Sequence, residues 1–257
     1  MTQAERRVFL IQTLLAEQPR YRKIGVPGEA TEQKTLLRSL MNVRAPGVID
    51  DVFLDVQDAY LREATEQKGV TDLADLTPVQ PDIYLWRGDI TALRCGAIVN
   101  AANSGMTGCY QPCHNCIDNC IHTYAGVQLR LACDELMRAQ GHPEETGKAK
   151  LTPAYNLPCD YVLHTVGPIV EGRLTRRHEE LLADCYRSCL TLADEHHIPS
   201  VAFCCISTGV FMFPNRRAAE IAVQTVKEYK RNTDSAIQVI FNVFKEQDEE
   251  IYQSLLR

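Results

Sequence analysis

The chain has 257 residues, 45% of them apolar and 23% charged, with a formal net charge of −6. That is an ordinary globular balance, large enough for one substantial core with or without an extension. The negative charge speaks against a nonspecific grip on nucleic acid or anionic membrane, and no run of about 18 apolar residues is available to cross a bilayer.

The N-terminus, Met1-Thr2-Gln3-Ala4-Glu5-Arg6-Arg7, runs into an amphipathic stretch without a cleavage signature, so no signal peptide is expected. Thr2 and Glu5 fit a capping box, and Ala4, Val8, Ile11 and Leu15 recur at helical spacing until Pro19. Leu36, Leu37, Leu40 and Met41 mark a second helix. A third spans 49–64, with Val52, Phe53, Val56, Ala59 and Tyr60 on one side. Pro78 and Pro81 then punctuate the chain, which places a boundary near Gln80: a helical extension over 1–80 and a second unit over 81–257.

From there strands and helices alternate. Strands are expected at 83–86, 97–99, 161–166, 201–206 and 237–244, and helices at 118–138, 176–196, 216–229 and the C-terminus. The apolar run Val201-Ala202-Phe203-Cys204-Cys205-Ile206 suits a strand buried on both faces. The alternation implies an α/β sheet covered by helices.

Eleven cysteines are many. Without a signal peptide they read as reduced thiols in a cytoplasmic setting, with a metal site among them. Cys95, Cys185, Cys189, Cys204 and Cys205 sit among apolar neighbours and read as small buried hydrophobes. The stretch Cys109-Tyr110-Gln111-Pro112-Cys113-His114-Asn115-Cys116 is different, packing three thiols and an imidazole into eight residues. Cys109, His114 and Cys116 give a Cys-x4-His-x-Cys spacing that suits zinc and leaves a coordination position open. Cys113 is a fourth candidate sulfur, which would close the site and make it structural.

Other chemistry clusters after the predicted strands, where open α/β sheets bind ligands. Asp89 follows the first strand and is placed to accept a hydrogen bond from an exocyclic amine, or to cap a turn. Asn100 to Gly108 is a small-residue loop. Ser207-Thr208-Gly209-Val210-Phe211 can turn backbone N–H groups toward an anion, although it has neither a Walker ending nor a Gly-x-Gly-x-x-Gly pattern. His122 and His164 read as core or surface histidines.

Three separated motifs resemble the macrodomain family: Arg87-Gly88-Asp89-Ile90-Thr91, Ala97-Ile98-Val99-Asn100-Ala101-Ala102-Asn103 and His164-Thr165-Val166-Gly167-Pro168. The insertion from Gly108 to Asn119 is similar to that of bacterial zinc-dependent macrodomains, which also carry a helical N-terminal extension. The resemblance implies a three-layer α/β/α fold with a mixed central sheet, one Zn2+ per chain on Cys109, His114 and Cys116, and hydrolytic release of mono-ADP-ribose from protein side chains, an ADP-ribosyl-carboxylate linkage being favoured. It places Asp89 and Ile90 at adenine, Asn103 at the distal ribose and Ser207, Thr208, Gly209, Val210 and Phe211 around the pyrophosphate. Ile117, Asp118 and Asn119 line the catalytic end, with Asp118 and Asn103 in catalysis, and Phe244 is placed to stack on adenine. It also implies, as partner, a mono-ADP-ribosylated lipoyl-carrier protein. A non-catalytic ADP-ribose reader with structural zinc and an O-acetyl-ADP-ribose deacetylase are the alternatives.

Overall fold

A computed structural model describes all residues, Met1 to Arg257. Helix α1 (Gln3–Ala16) begins with the capping box: Thr2 Oγ1 accepts from Glu5 N while the Glu5 carboxylate accepts from Thr2 N. Helices α2 (Ala30–Val43) and α3 (Asp51–Lys68) follow, α3 capped by Asp50. Their apolar faces meet in a cluster separate from the main core; it includes Leu10, Ile11, Leu14, Leu37, Met41, Phe53 and Leu61 and takes in Val127. Truncating such a side chain to alanine costs roughly 2–5 kcal/mol.

After α3 come β1 (Thr71–Asp72), β2 (Ile83–Arg87), β3 (Leu93–Arg94), β4 (Ala97–Ala102), α4 (Ile117–Ala125), α5 (Val127–Gln140), β5 (Ala149–Pro153), β6 (Tyr161–Val166), α6 (Arg176–Glu195), β7 (Ser200–Phe203), α7 (Asn215–Thr233), β8 (Gln238–Val243) and α8 (Glu246–Leu255). β1 pairs in parallel with β3, so Thr71 and Asp72, ahead of the boundary expected near Gln80, lie against Leu93 and Arg94. The main sheet has the order β2-β8-β7-β4-β6-β5, parallel except for the antiparallel edge strand β5. Val99, Val162, Val201 and Val239 are fully buried, as expected of strands covered on both faces.

The connections from β6 to β7 and from β7 to β8 run toward the β2 edge, whereas β4 to β6 runs toward the β5 edge. With right-handed crossovers, α6 and α7 therefore cover one face and α4 and α5 the other. The direction reverses between β4 and β7, which makes their carboxyl ends a topological switch point. β7 pairs with β4 only at Val201 and Ala202, and β4 continues alone beside β6 to Ala102. The two strands part there, at the place where open α/β sheets form a ligand crevice.

Two expectations change. The single helix expected over 118–138 is two helices, broken at Gly126, whose φ of 100° favours glycine. A Cβ at Gly126 would lie 2.6 Å from Gln57 Nε2 and from Gln128 Oε1. Gln57 of α3 accepts the Val127 N–H at 3.0 Å, so the extension caps the second helix at the break. The strand expected over 201–206 stops at Phe203, where β7 leaves β4.

Candidate functional site

The carboxyl ends of β2, β4, β6, β7 and β8 share one edge of the sheet, and they bring Asp89, Asn103, Gly167, Ser207 and Phe244 to it. The loop after β4 is the most densely bonded. Asn103 is exposed, and its Nδ2 donates to Gly108 O and to Asp118 Oδ2, each at 3.2 Å. Gly108 has φ +85°, and a Cβ there would press to 2.8 Å on the His122 ring. That close approach brings the chain over α4 and into the segment of Cys109, His114 and Cys116.

Cys109, His114 and Cys116 converge: their ligand atoms all lie within 4.8 Å of one another, with Cys109 Sγ 3.7 Å from His114 Nδ1. A tetrahedral zinc ion holds a sulfur and a nitrogen about 3.6 Å apart, so this donor set fits zinc. All three residues are half-buried. Cys113 stands apart. With φ +53° it turns its Sγ to Ser39 Oγ (3.2 Å) and Thr35 O (3.5 Å) on α2, outside the converging group.

Cys116 is also the N-cap of α4, its Sγ accepting from Asn119 N at 3.4 Å. Burial, reinforced by Cys109 and Asp118, pushes its thiol up to about 12. A bound cation is what brings such a group to the thiolate. Asn119 is fully buried. Its Nδ2 donates to Cys109 O (3.3 Å) and Gln111 O (2.9 Å), so its side chain holds the loop from behind.

Asp118 lies on the first turn of α4 and is 4% exposed. Asn100 Nδ2 donates to its Oδ1 at 2.8 Å and to His164 Nδ1 at 3.1 Å. That leaves the His164 proton on Nε2, which donates to Thr152 Oγ1 at 2.9 Å. Thr152, His164 and Asn100 thus form a buried chain ending on the Asp118 carboxyl. Burial pushes that carboxyl up to about 6 against the lowering pull of Asn100, Arg130 and Asn103. His122 and His164 are both buried, and burial pushes both imidazoles down, His164 to about 3.

At the far end of the edge, Asp89 caps a short 3-10 turn (Ile90–Ala92), its Oδ1 accepting from Thr91 N (2.9 Å) and Thr91 Oγ1 (2.6 Å). Lys68 of α3 pairs with its Oδ2. Burial acts to raise the Asp89 carboxyl, but the bonds from Lys68 and Thr91 win and hold it below the ordinary carboxylate value. The Ile90 side chain is in the core, and its backbone N–H has no intramolecular partner.

The loop after β7 is built by its own backbone. Phe213 N donates to Ser207 O at 3.0 Å, and Met212 N to Gly209 O at 3.1 Å. The N–H groups of Gly209, Val210 and Phe211 find no partner within the protein, and Val210 is 71% exposed. A run of free N–H groups beside a switch point can serve an anion as donors.

Asn100 and His164 also belong to the site, although the sequence alone gives them no role in it. The signal for both was a polar residue inside an apolar strand.

A macro domain family model matches residues 99–222. A protein-ADP-ribose hydrolase of Treponema medium is 61% identical, the match covering the whole of both chains. The chain belongs to the macrodomain family of protein-ADP-ribose hydrolases. A protein of the same name from Staphylococcus aureus (strain Mu50 / ATCC 700699) is 49% identical over 96% of this macrodomain chain and 94% of its own length. Among solved structures, the Trypanosoma brucei macrodomain in complex with ADP-ribose superposes with a TM-score of 0.66 at 29% identity, over 86% of this chain and 95% of that one. The Oceanobacillus iheyensis macrodomain with ADP gives 0.63 at 34% identity, over 70% of this chain and 93% of the other. The neighbours of this mixed-sheet α/β fold are macrodomains, and the chain carries N-terminal helices besides.

Proposed function

We propose that this macrodomain is a zinc-dependent hydrolase that removes mono-ADP-ribose from modified protein side chains. The observation that carries the reading is the meeting of Asp118 and Asn103 with the Cys109–His114–Cys116 group at the switch-point crevice. Relatives named protein-ADP-ribose hydrolase and a macrodomain neighbour in complex with ADP-ribose support it.

ADP-ribose lies along the strand ends. Asp89 accepts from the adenine amine and the free Ile90 N–H donates to the ring. The N–H groups of Gly209, Val210 and Phe211, with Ser207 and Thr208 shaping the turn, hold the pyrophosphate. Asn103 meets the distal ribose, with Ile117 beside it, and Phe244, 77% exposed at the end of β8, stacks on adenine. This binding fixes the scissile bond over Asp118.

Asp118 orients the attacking water and takes its proton on Oδ2, while Asn100 and Asn103 hold the carboxylate in place. A carboxyl group raised to about 6 is well matched to proton transfer near neutral pH. One zinc ion per chain, held by Cys109, His114 and Cys116, supplies Lewis-acid chemistry at the distal-ribose end. Because Cys113 is engaged with α2, the group keeps an open side, which favours a catalytic over a closed structural metal. The preferred linkage is an ADP-ribosyl carboxylate, and a lipoyl-carrier protein is the substrate that the sequence resemblance suggests. Eleven free thiols suit a reducing, cytoplasmic setting.

The test is release of ADP-ribose from aspartate-, serine- and arginine-linked mono-ADP-ribosyl proteins, with and without a zinc chelator. Loss of release from the aspartate-linked substrate on chelation, and its return with zinc, is the expected result. Undiminished turnover in metal-free protein refutes the role of zinc.

A further inference from the structure

Helix α2 belongs to the N-terminal extension, yet its polar contacts converge on the metal-ligand loop more than 70 residues away. Arg38 Nη2 donates to His114 O at 2.7 Å and to Asn119 Oδ1 at 3.0 Å. One turn on, and therefore on the same side of the helix, Asn42 Oδ1 accepts from Cys113 N at 2.9 Å and Asn42 Nδ2 donates to Thr123 Oγ1 at 2.9 Å. The backbone on either side of the Cys113–His114 peptide is thus gripped by two side chains of one helix. Asn119, which Arg38 orients, holds the carbonyls of Cys109 and Gln111 with its Nδ2 and donates its backbone N–H to Cys116 Sγ. Arg38 and Asn42 therefore reach all three ligand residues directly or through one intermediate.

The grip is anchored in return. Arg130 of α5 donates to the carbonyls of Met41, Asn42 and Arg44 at 3.2, 2.7 and 2.5 Å, which pins the C-terminal end of α2. Arg38 Nε is buried without a partner. A helix that only covered apolar surface would gain nothing from burying an incompletely satisfied guanidinium. Its place is explained by what its Nη2 holds.

We infer that α2 is the outer support of the metal loop, with Arg38 and Asn42 acting as positioning residues that set zinc affinity by fixing the ligand backbone. The inference rests on the reading of Cys109, His114 and Cys116 as the zinc ligands. Partners behind a metal ligand orient it, and their loss lowers metal affinity about 10–100-fold.

The experiment measures zinc affinity of the full chain by competition with a chromogenic chelator, alongside far-UV circular dichroism and the thermal midpoint of the zinc-free protein. Arg38→Met and Asn42→Ala are expected to bind zinc about 10–100-fold more weakly with helical content retained. Arg38→Lys, which keeps the charge and one donor, is expected to fall between them and the wild type, and carries the test if Arg38→Met does not fold. Leu14→Val loosens the same helical layer without touching the loop and is expected to leave zinc affinity unchanged. Wild-type affinity in Arg38→Met or Arg38→Lys overturns the inference, as does an equal loss in Leu14→Val, which would make the effect general packing. Cys116→Ser separates the two levels. If the wild type binds zinc and Cys116→Ser does not, unchanged affinity in the Arg38 variants sinks only the role of α2. If the wild type binds no zinc, or Cys116→Ser binds it normally, the zinc site itself falls as well.

Discussion

Two loops face each other across the crevice, and they are built in opposite ways. The loop after β4 is held by side chains: Asn103 and Asn119 bond its carbonyls, Asn42 accepts one of its N–H groups, and Asp118 beneath it rests on the Asn100–His164–Thr152 chain. The loop after β7 is held by backbone bonds, its own and one from Val170 N to Phe211 O, and leaves three consecutive N–H groups without a partner. The first arrangement fixes atoms to a fraction of an ångström, as chemistry requires. The second offers donors to a charged group and takes little part in its own packing. Substitutions at the two ends should therefore carry different kinetic signatures, kcat at one and KM at the other.

The largest effect is expected from Asp118→Asn. The substitution is near-isosteric but removes the proton acceptor, so kcat should fall roughly 10²–10⁴-fold, with ADP-ribose affinity by calorimetry staying within a few-fold. An equal loss of affinity would place Asp118 in binding and blur the contrast between the loops. Next is Cys116→Ser, which should cost about 100-fold in turnover together with the bound zinc, read by single-turnover release and metal analysis. Turnover that falls while zinc content holds would detach the metal from the chemistry.

A third expectation concerns the buried polar layer behind the β4 loop, in the zinc-free chain. His164, pushed down to about 3, and His122, pushed the same way, stay neutral when folded but take up protons when unfolded as pH drops below their ordinary value of 6.5. Asp118 acts in the opposite sense, since at about 6 the folded state keeps a proton that the unfolded state, at 3.8, releases. Between pH 6 and 4 the unfolded state therefore binds about one proton more, and stability falls by roughly 1.4 kcal/mol per pH unit on acidification. Urea midpoints measured across that range check it. His164→Gln should flatten the slope, and an unaltered slope would assign it to other groups.

These two regions were not equally legible in the sequence. The candidate metal group stood out because three thiols and an imidazole fall within eight residues, although spacing alone left open which of the four converge. The strand-end loops were legible because the expected strands 83–86 and 97–99 are apolar runs that lead into Arg-Gly-Asp and into Asn-Ala-Ala-Asn. What escaped is long-range. Arg38, Asn42 and Lys68 act 20 to 80 residues away from where they sit, and nothing in an amphipathic helix says which of its polar residues will meet a distant loop. The break at Gly126 escaped for the same reason. A glycine within a helical pattern is tolerated, and only its positive φ together with Gln57 from α3 turns it into a boundary.

The smallest effect belongs to the open loop. Gly209 is exposed, its φ is not positive, and a Cβ built there meets nothing within 4 Å. Gly209→Val should therefore leave the thermal midpoint unchanged. The added branch would nonetheless stand beside the free N–H groups of Val210 and Phe211 and keep a pyrophosphate from reaching them. KM and the ADP-ribose dissociation constant should rise about tenfold, or ~1.4 kcal/mol, while kcat at saturating substrate is preserved. That outcome is the mirror image of Asp118→Asn, and it would locate binding in the backbone-built loop and chemistry in the side-chain-built one. A fall in kcat without a change in affinity would mean that the β7 loop also sets the geometry of the reacting bond, and the division between the two loops would be lost.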